Sequence, residues 1–267
     1  MSKVWIPLFV AFICVLHISA RWEDKPVNPS ISILTIGNSF ADNACTFLPQ
    51  IAESVPGYNI NITKANIGGC SLEKHADLIG KCQENPNLNP YFDKYCLEDL
   101  LTMRDYDFVT IQQVSSLSFK SESYEPYAQK LINFISKHAP GAETVIHQTW
   151  AYGPGSKRLE NWDMTREDMQ KGLSENYSNL ASKYNLDILP SGSAFFRSFE
   201  KNSGIDLWNN DRYHANMYGC YLAGCVWFGK MSGESPRKIR FVPEGMESED
   251  AKFLRKVAAK VLKGNRR

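Results

Sequence analysis

Four short stretches of this 267-residue chain carry side chains and backbone suited to acyl-transfer chemistry. The first is Gly37-Asn38-Ser39-Phe40, directly after the apolar run Ile31 to Ile36. A serine at a strand-to-helix turn presents its hydroxyl and its N–H to one pocket; alone, the tripeptide is also ordinary turn chemistry. The second is Asn66-Ile67-Gly68-Gly69-Cys70-Ser71, whose glycines let backbone N–H groups approach a ligand. It matches neither a Walker pattern nor G-x-G-x-x-G, which disfavours a phosphate cradle. The third, Ile111-Gln112-Gln113-Val114-Ser115-Ser116, brings two side-chain amides out of an apolar run, and they must find partners in the core or in a pocket. The fourth is Asp211-Arg212-Tyr213-His214. A carboxylate three residues before a histidine can accept from one imidazole nitrogen and leave the other free as a base.

The elements that must position these groups are legible from hydrophobic period. Short β-branched or apolar runs predict strands at Ile31–Ile36, Phe108–Gln112, Glu143–Gln148 and Leu186–Leu189, and an alternating pattern predicts one at Tyr58–Ala65. Helical patterns lie at Asn43–Ser54, Ser71–Gly80 (Ser71 as N-cap), Tyr124–His138, Met164–Tyr184, Ala215–Met231 and Glu247–Leu262. Strands alternating with helices predict one three-layer α/β/α sandwich, flavodoxin-like, with a parallel sheet of about five strands. In such sheets the site lies beyond the carboxyl ends of the strands, where the first three stretches fall.

Taken in order, an early Ser, glycines after the second strand, an amide after the third and a late Asp-x-x-His resemble the blocks of the SGNH (GDSL-type) hydrolases. The resemblance runs along nearly the whole chain beyond residue 20. Gly37-Asn38-Ser39-Phe40, Gln112-Gln113-Val114-Ser115, His147-Gln148-Thr149-Trp150-Ala151-Tyr152 and Asp211-Arg212-Tyr213-His214 resemble the DUF4886 branch of that superfamily. The resemblance implies a serine esterase: Ser39 the nucleophile, His214 its base and Asp211 the orienting carboxylate. It places the oxyanion near the N–H of Ser39, the N–H of Gly69 and the side-chain amide of Gln113. Two departures stand out. Asn38 occupies the place of the usual Asp, and Gln-Gln-Val-Ser replaces the usual Gly-x-Asn-Asp block. Gln113 is assigned by analogy with carbohydrate acetylesterases carrying His-Gln-Gly-Glu, and Gln112 is the alternative.

Other histidines compete for the role of base. His138 precedes Pro140 at a helix end, which suits a structural role, and His75 lies inside the helix after Gly69, where it is expected to pack or to support that turn. His147, Gln148 and Trp150, at the end of the fourth strand, are expected in the substrate pocket wall, with a core role the competing reading. The α/β-hydrolase elbow G-x-S-x-G is excluded by Ala41. The expected substrate is a small-molecule or glycan ester, an acetylated carbohydrate first, because Trp150, Tyr152, Trp162 and Trp208 stand in loops where sugars stack. A lipid ester on the same fold, or a catalytically silent glycan-binding protein, is the alternative.

Residues 1–20 read as a signal peptide: Lys3, the apolar run Val4–Leu16, then His17-Ile18-Ser19-Ala20 before a charged segment. The protein is therefore expected outside the cytoplasm, secreted or periplasmic, with residues 21–267 forming one SGNH hydrolase domain. No later apolar run reaches the length of a bilayer span. Beyond the leader stand Cys45, Cys70, Cys82, Cys96, Cys220 and Cys225, an even number in an exported chain, which predicts disulfides. Cys220 and Cys225, five apart on one predicted helix, point to different faces and are not expected to pair; bonds are expected mainly from Cys82 and Cys96 to other cysteines. No Cys-x-x-Cys occurs and no histidine stands at ligand spacing from a cysteine pair, so no zinc or other metal site is expected. The implied serine chemistry calls for no cofactor, and none is expected. Thirty basic against 29 acidic residues, net +1, offer no electrostatic footprint for nucleic acid.

Overall fold

The computed structural model describes Met1 and residues 30–201 and 204–264. The leader reading falls on residues outside this range. Five parallel strands form one sheet: β1 (Ser30–Gly37), β2 (Asn59–Asn66), β3 (Phe108–Ile111), β4 (Glu143–His147) and β5 (Asp187–Leu189), in the order β2-β1-β3-β4-β5. The inner strands β1, β3 and β4 are rich in apolar residues, and Ile33, Leu34, Val109, Ile111 and Ile146 are fully buried, as a sheet covered on both faces requires, whereas the edge strand β2 alternates polar and apolar residues. The strand order reverses between β1 and β3, so a crevice opens there above their carboxyl ends.

The helices are α1 (Ser39–Cys45), α2 (Leu48–Glu53), α3 (Leu72–Glu84), α4 (Leu97–Thr102), α5 (Tyr127–His138), α6 (Lys157–Asn161), α7 (Arg166–Tyr184), α8 (Ser191–Glu200), α9 (Met217–Ser232) and α10 (Ser248–Gly264). α3, α4 and α5 pack together on one face of the sheet, and α1, α2, α8, α9 and α10 on the other. Ser71 caps α3 by accepting from the Lys74 N–H. The predicted helix over Asn43–Ser54 is instead two helices, and the first begins four residues earlier, at Ser39 itself. Apolar period did not reveal α4, α6 or α8. The first two have six and five residues, too few to show a period of 3.6. Among the described residues no helix is long and apolar enough to cross a membrane.

Candidate active site

The nucleophile turn is built by Asn38. Its backbone is extended, and its Oδ1 accepts from the Phe40 N–H at 3.1 Å, capping α1. Ser39 is therefore the first helical residue. Its N–H is one of those a helix cannot satisfy from within, and it lies beside its own hydroxyl at the mouth of the crevice. Asn38 also donates through Nδ2 to the Cys70 carbonyl at 3.0 Å. The Ile67 N–H donates to the Gly37 carbonyl at 3.0 Å. These two bonds tie the Ile67–Cys70 turn to the nucleophile turn. Gly69 sits in that turn at φ +64°, a left-handed conformation that a residue without Cβ adopts at no steric cost.

The loop before α9 delivers the other two groups. His214 Nε2 lies 2.8 Å from Ser39 Oγ, and its Nδ1 lies 2.7 Å from Asp211 Oδ2. Asp211 Oδ1 accepts from the N–H groups of Tyr213 and His214, each at 3.0 Å. Partial burial opposes its charge, but these N–H groups and the His214 ring outweigh that, and the Asp211 carboxyl stays below its usual range. The loop is held from several sides. Asn43 Oδ1, on the nucleophile helix, accepts from the Ala215 N–H at 3.1 Å. Gly153 N–H donates to the Arg212 carbonyl at 2.7 Å, and Trp150 Nε1 donates to the Tyr213 carbonyl at 2.9 Å. A serine hydroxyl, an imidazole and a carboxylate are thus in hydrogen-bonded line, with two backbone-rich turns alongside.

The two glutamines after β3 behave differently from expectation. Gln113 is fully buried, and its Oε1 accepts from the N–H groups of Leu72 (3.1 Å) and Val114 (2.8 Å). Its Nε2 donates to the Ser123 carbonyl (2.7 Å) and hydroxyl (3.1 Å). Both of its amide hydrogens are engaged at Ser123, so it clamps the start of α3 to the loop after β3 and has no donor left for an oxyanion. Gln112 instead turns to the nucleophile side. Its Nε2 donates to Asn38 Oδ1 at 2.7 Å, and its Oε1 accepts from His147 Nδ1, also at 2.7 Å.

The expected pocket wall is also corrected. His147 and Trp150 are fully buried and Gln148 nearly so. Trp150 is stacked between Phe40 (4.5 Å) and Phe195 (4.4 Å), and Gln148 Oε1 accepts from the N–H and hydroxyl of Ser193 on α8. Their side chains run back into the core because β4 is flanked by strands on both sides and covered by helices. His147 stands against Trp227, and burial drives its pKa down to about 3, so the ring is neutral and its Nδ1–H donates to Gln112. His75 braces the nucleophile side rather than the glycine turn: its Nε2 donates to the Gly37 carbonyl at 3.0 Å, while Nδ1 meets the Tyr91 hydroxyl at 2.9 Å. Burial lowers its pKa to about 4. Sequence reasoning had no role for Tyr91 or Arg158, which lie in segments without period.

Among the described residues, one disulfide joins Cys82 and Cys96, to each other rather than to other cysteines. It closes the loop that inserts Tyr91 under α3. Cys45, Cys70, Cys220 and Cys225 are free and buried, and Cys220 and Cys225 do not pair. A surface cavity of about 540 Å³ lies between α7, α8 and α10 and includes none of Ser39, Asp211 or His214.

Comparison with known proteins agrees with this fold. No curated protein sequence matches the chain. A DUF4886 family protein from Bacteroides uniformis superposes with a TM-score of 0.80 at 27% identity, over 89% of this chain and 96% of that one. A protein provisionally described as an SGNH hydrolase from Slackia heliotrinireducens follows at 0.57 and 23%, over 76% and 99%. An acetylxylan esterase from Geobacillus stearothermophilus superposes at 0.54 with 13% identity, over 79% and 97%. The profile of the domain of unknown function DUF4886 matches residues 32–261, and with the β2-β1-β3-β4-β5 sheet this places the chain in the DUF4886 family, on the SGNH hydrolase fold.

Proposed function

We propose that the protein is an exported serine esterase that removes a short acyl group, acetyl first, from a carbohydrate. The observation that carries this reading is the line Ser39 Oγ, His214 Nε2, His214 Nδ1, Asp211 Oδ2, with contacts of 2.8 and 2.7 Å. His214 accepts the Ser39 proton as Oγ attacks the ester carbonyl, then returns a proton to the leaving alcohol. Water attacks the acyl-serine with His214 as base again, releasing the acid. Charge on the carbonyl oxygen is met by the N–H groups of Ser39 and Gly69. Asp211 fixes the imidazole tautomer and stabilises the imidazolium. The likeness in fold to an acetylxylan esterase supports a carbohydrate acetyl ester. Export, with residues 1–20 removed, rests on the leader pattern.

A fluorophosphonate probe followed by peptide mapping tests the mechanism. Label on Ser39, absent in Ser39→Ala, is expected; label on Ser71, Ser115 or Ser191 overturns the assignment. Turnover of p-nitrophenyl acetate well above the octanoate is expected. The reverse order would favour a lipid ester, and no turnover of either would favour a glycan-binding protein on this fold.

A further inference from the structure

Beside His214, three loops bring aromatic rings and one guanidinium together. The ring of Tyr213 lies 4.3 Å from the His214 imidazole. Arg158, exposed on α6, lays its guanidinium 4.0 Å over the Tyr213 ring, and its Nη1 donates to the Tyr152 hydroxyl at 3.4 Å. A single ring thus separates the guanidinium from the imidazole. Trp162, 37% exposed, packs on Tyr152 at 5.7 Å and on Phe119 at 5.3 Å, extending the same wall.

Arg158 differs from the other arginines nearby. Arg212 is paired with Asp206 at 2.6 Å and Arg166 with Glu167 at 2.7 Å. Among the described residues, no carboxylate pairs with Arg158. The neighbouring Asp211 is engaged by two N–H groups and by His214. A guanidinium stacked by its face on an aromatic ring still presents its in-plane N–H donors, and their fork matches a carboxylate. The stack also strips water from one side of the cation, which strengthens what its edge can bind.

We propose that Arg158 is a carboxylate receptor and that the ester substrate is an acidic carbohydrate, an acylated uronic-acid glycoside. This deepens the esterase reading above and rests on it. The guanidinium edge holds the uronate while the exposed Trp162 supplies flat apolar surface for the pyranose ring. Tyr213, between Arg158 and His214, connects this receptor to the triad.

The test compares acetate release from a mono-O-acetylated methyl glucuronoside with release from the same compound converted to its uronamide. The wild-type protein is expected to prefer the acid by roughly tenfold or more in kcat/KM, with the preference weakening at high salt. Arg158→Met is expected to abolish the preference through KM for the acid, Arg158→Lys to keep part of it, and Arg158→Glu to reverse it. Equal rates on acid and amide in the wild-type protein, or a preference that survives Arg158→Met, overturns the proposal while the esterase reading stands. Absence of Ser39-dependent acetate release from both compounds and from p-nitrophenyl acetate overturns the esterase reading itself, and this proposal with it.

Discussion

Gln112 Nε2 donates to Asn38 Oδ1 at 2.7 Å, and that same oxygen accepts the Phe40 N–H that starts the helix carrying Ser39. The bond places the nucleophile turn at the end of a buried relay. His147 Nδ1–H donates to Gln112 Oε1, Gln112 donates to Asn38, and Asn38 donates to the Cys70 carbonyl behind Gly69. His147, Gln112, Asn38 and Cys70 are at most 2% exposed. The nucleophile turn and the glycine turn are thus held to one another by side-chain amides with little freedom to reorient.

Removing the middle of this relay orphans the buried His147 Nδ1–H and leaves Asn38 Oδ1 with the Phe40 N–H as its remaining donor. Gln112→Leu is expected to lower stability by about 1–3 kcal/mol, the cost of one orphaned buried polar group. It is also expected to lower kcat more than it raises KM, because the positions of Ser39 and Gly69 matter most in the transition state. Urea denaturation and steady-state kinetics on the same preparations check both.

Gln113→Ala should behave as a structural mutant. Four hydrogen bonds to Leu72, Val114 and Ser123 disappear from a fully buried site, and a loss of about 2–4 kcal/mol is expected. Activity should fall only in step with the folded fraction. A large drop in kcat in a protein that keeps its melting temperature would instead return Gln113 to the oxyanion.

Stability should depend on pH through two buried imidazoles. His147 and His75 titrate near 3 and 4 when folded, both from an ordinary 6.5, because burial disfavours their charged forms. The unfolded chain therefore binds more protons below about pH 6.5, so this stability is complete above that pH and is lost as pH falls toward 3 to 4. Urea midpoints measured from pH 7 to pH 4 should decline. In His147→Asn, whose amide can still donate to Gln112, the decline should be shallower.

The triad members should fail unequally. His214→Ala removes the base and is expected to cost roughly 10⁶ in kcat, whereas Asp211→Asn keeps the base in a poorer tautomer and is expected to cost roughly 10⁴. Wild-type rates in either variant would place the base elsewhere.

Replacing Cys82 and Cys96 together by Ala should lower stability by about 2–4 kcal/mol, the usual loss for a loop of this length. The loop carries Tyr91, which meets His75, which in turn donates to the Gly37 carbonyl before the nucleophile. Activity should therefore become denaturant-sensitive before the far-ultraviolet signal changes. Coincident midpoints for activity and circular dichroism would show that the loop does not reach the site.

What the sequence determined by itself is what lies close along the chain. The five strands were legible because four are short apolar runs and the fifth, β2, alternates polar and apolar residues, and their succession with helices dictates a parallel sheet. Asp211 and His214 were legible as a pair because three residues within one loop can bring a carboxylate to an imidazole without help from elsewhere. Which partner each strand-end side chain takes was decided only by the tertiary structure. Successive residues leaving a strand point to opposite faces, so Gln112 meets Asn38 and His147 while its neighbour Gln113 meets Leu72 and Ser123, though the two are chemically identical. The same dependence hid the cysteine pairing and the burial of His147 and Trp150. A hydrogen bond, a disulfide or a buried ring needs a second surface, and that surface came from α3, α8 or α9, distant in sequence and adjacent only once the sheet is covered.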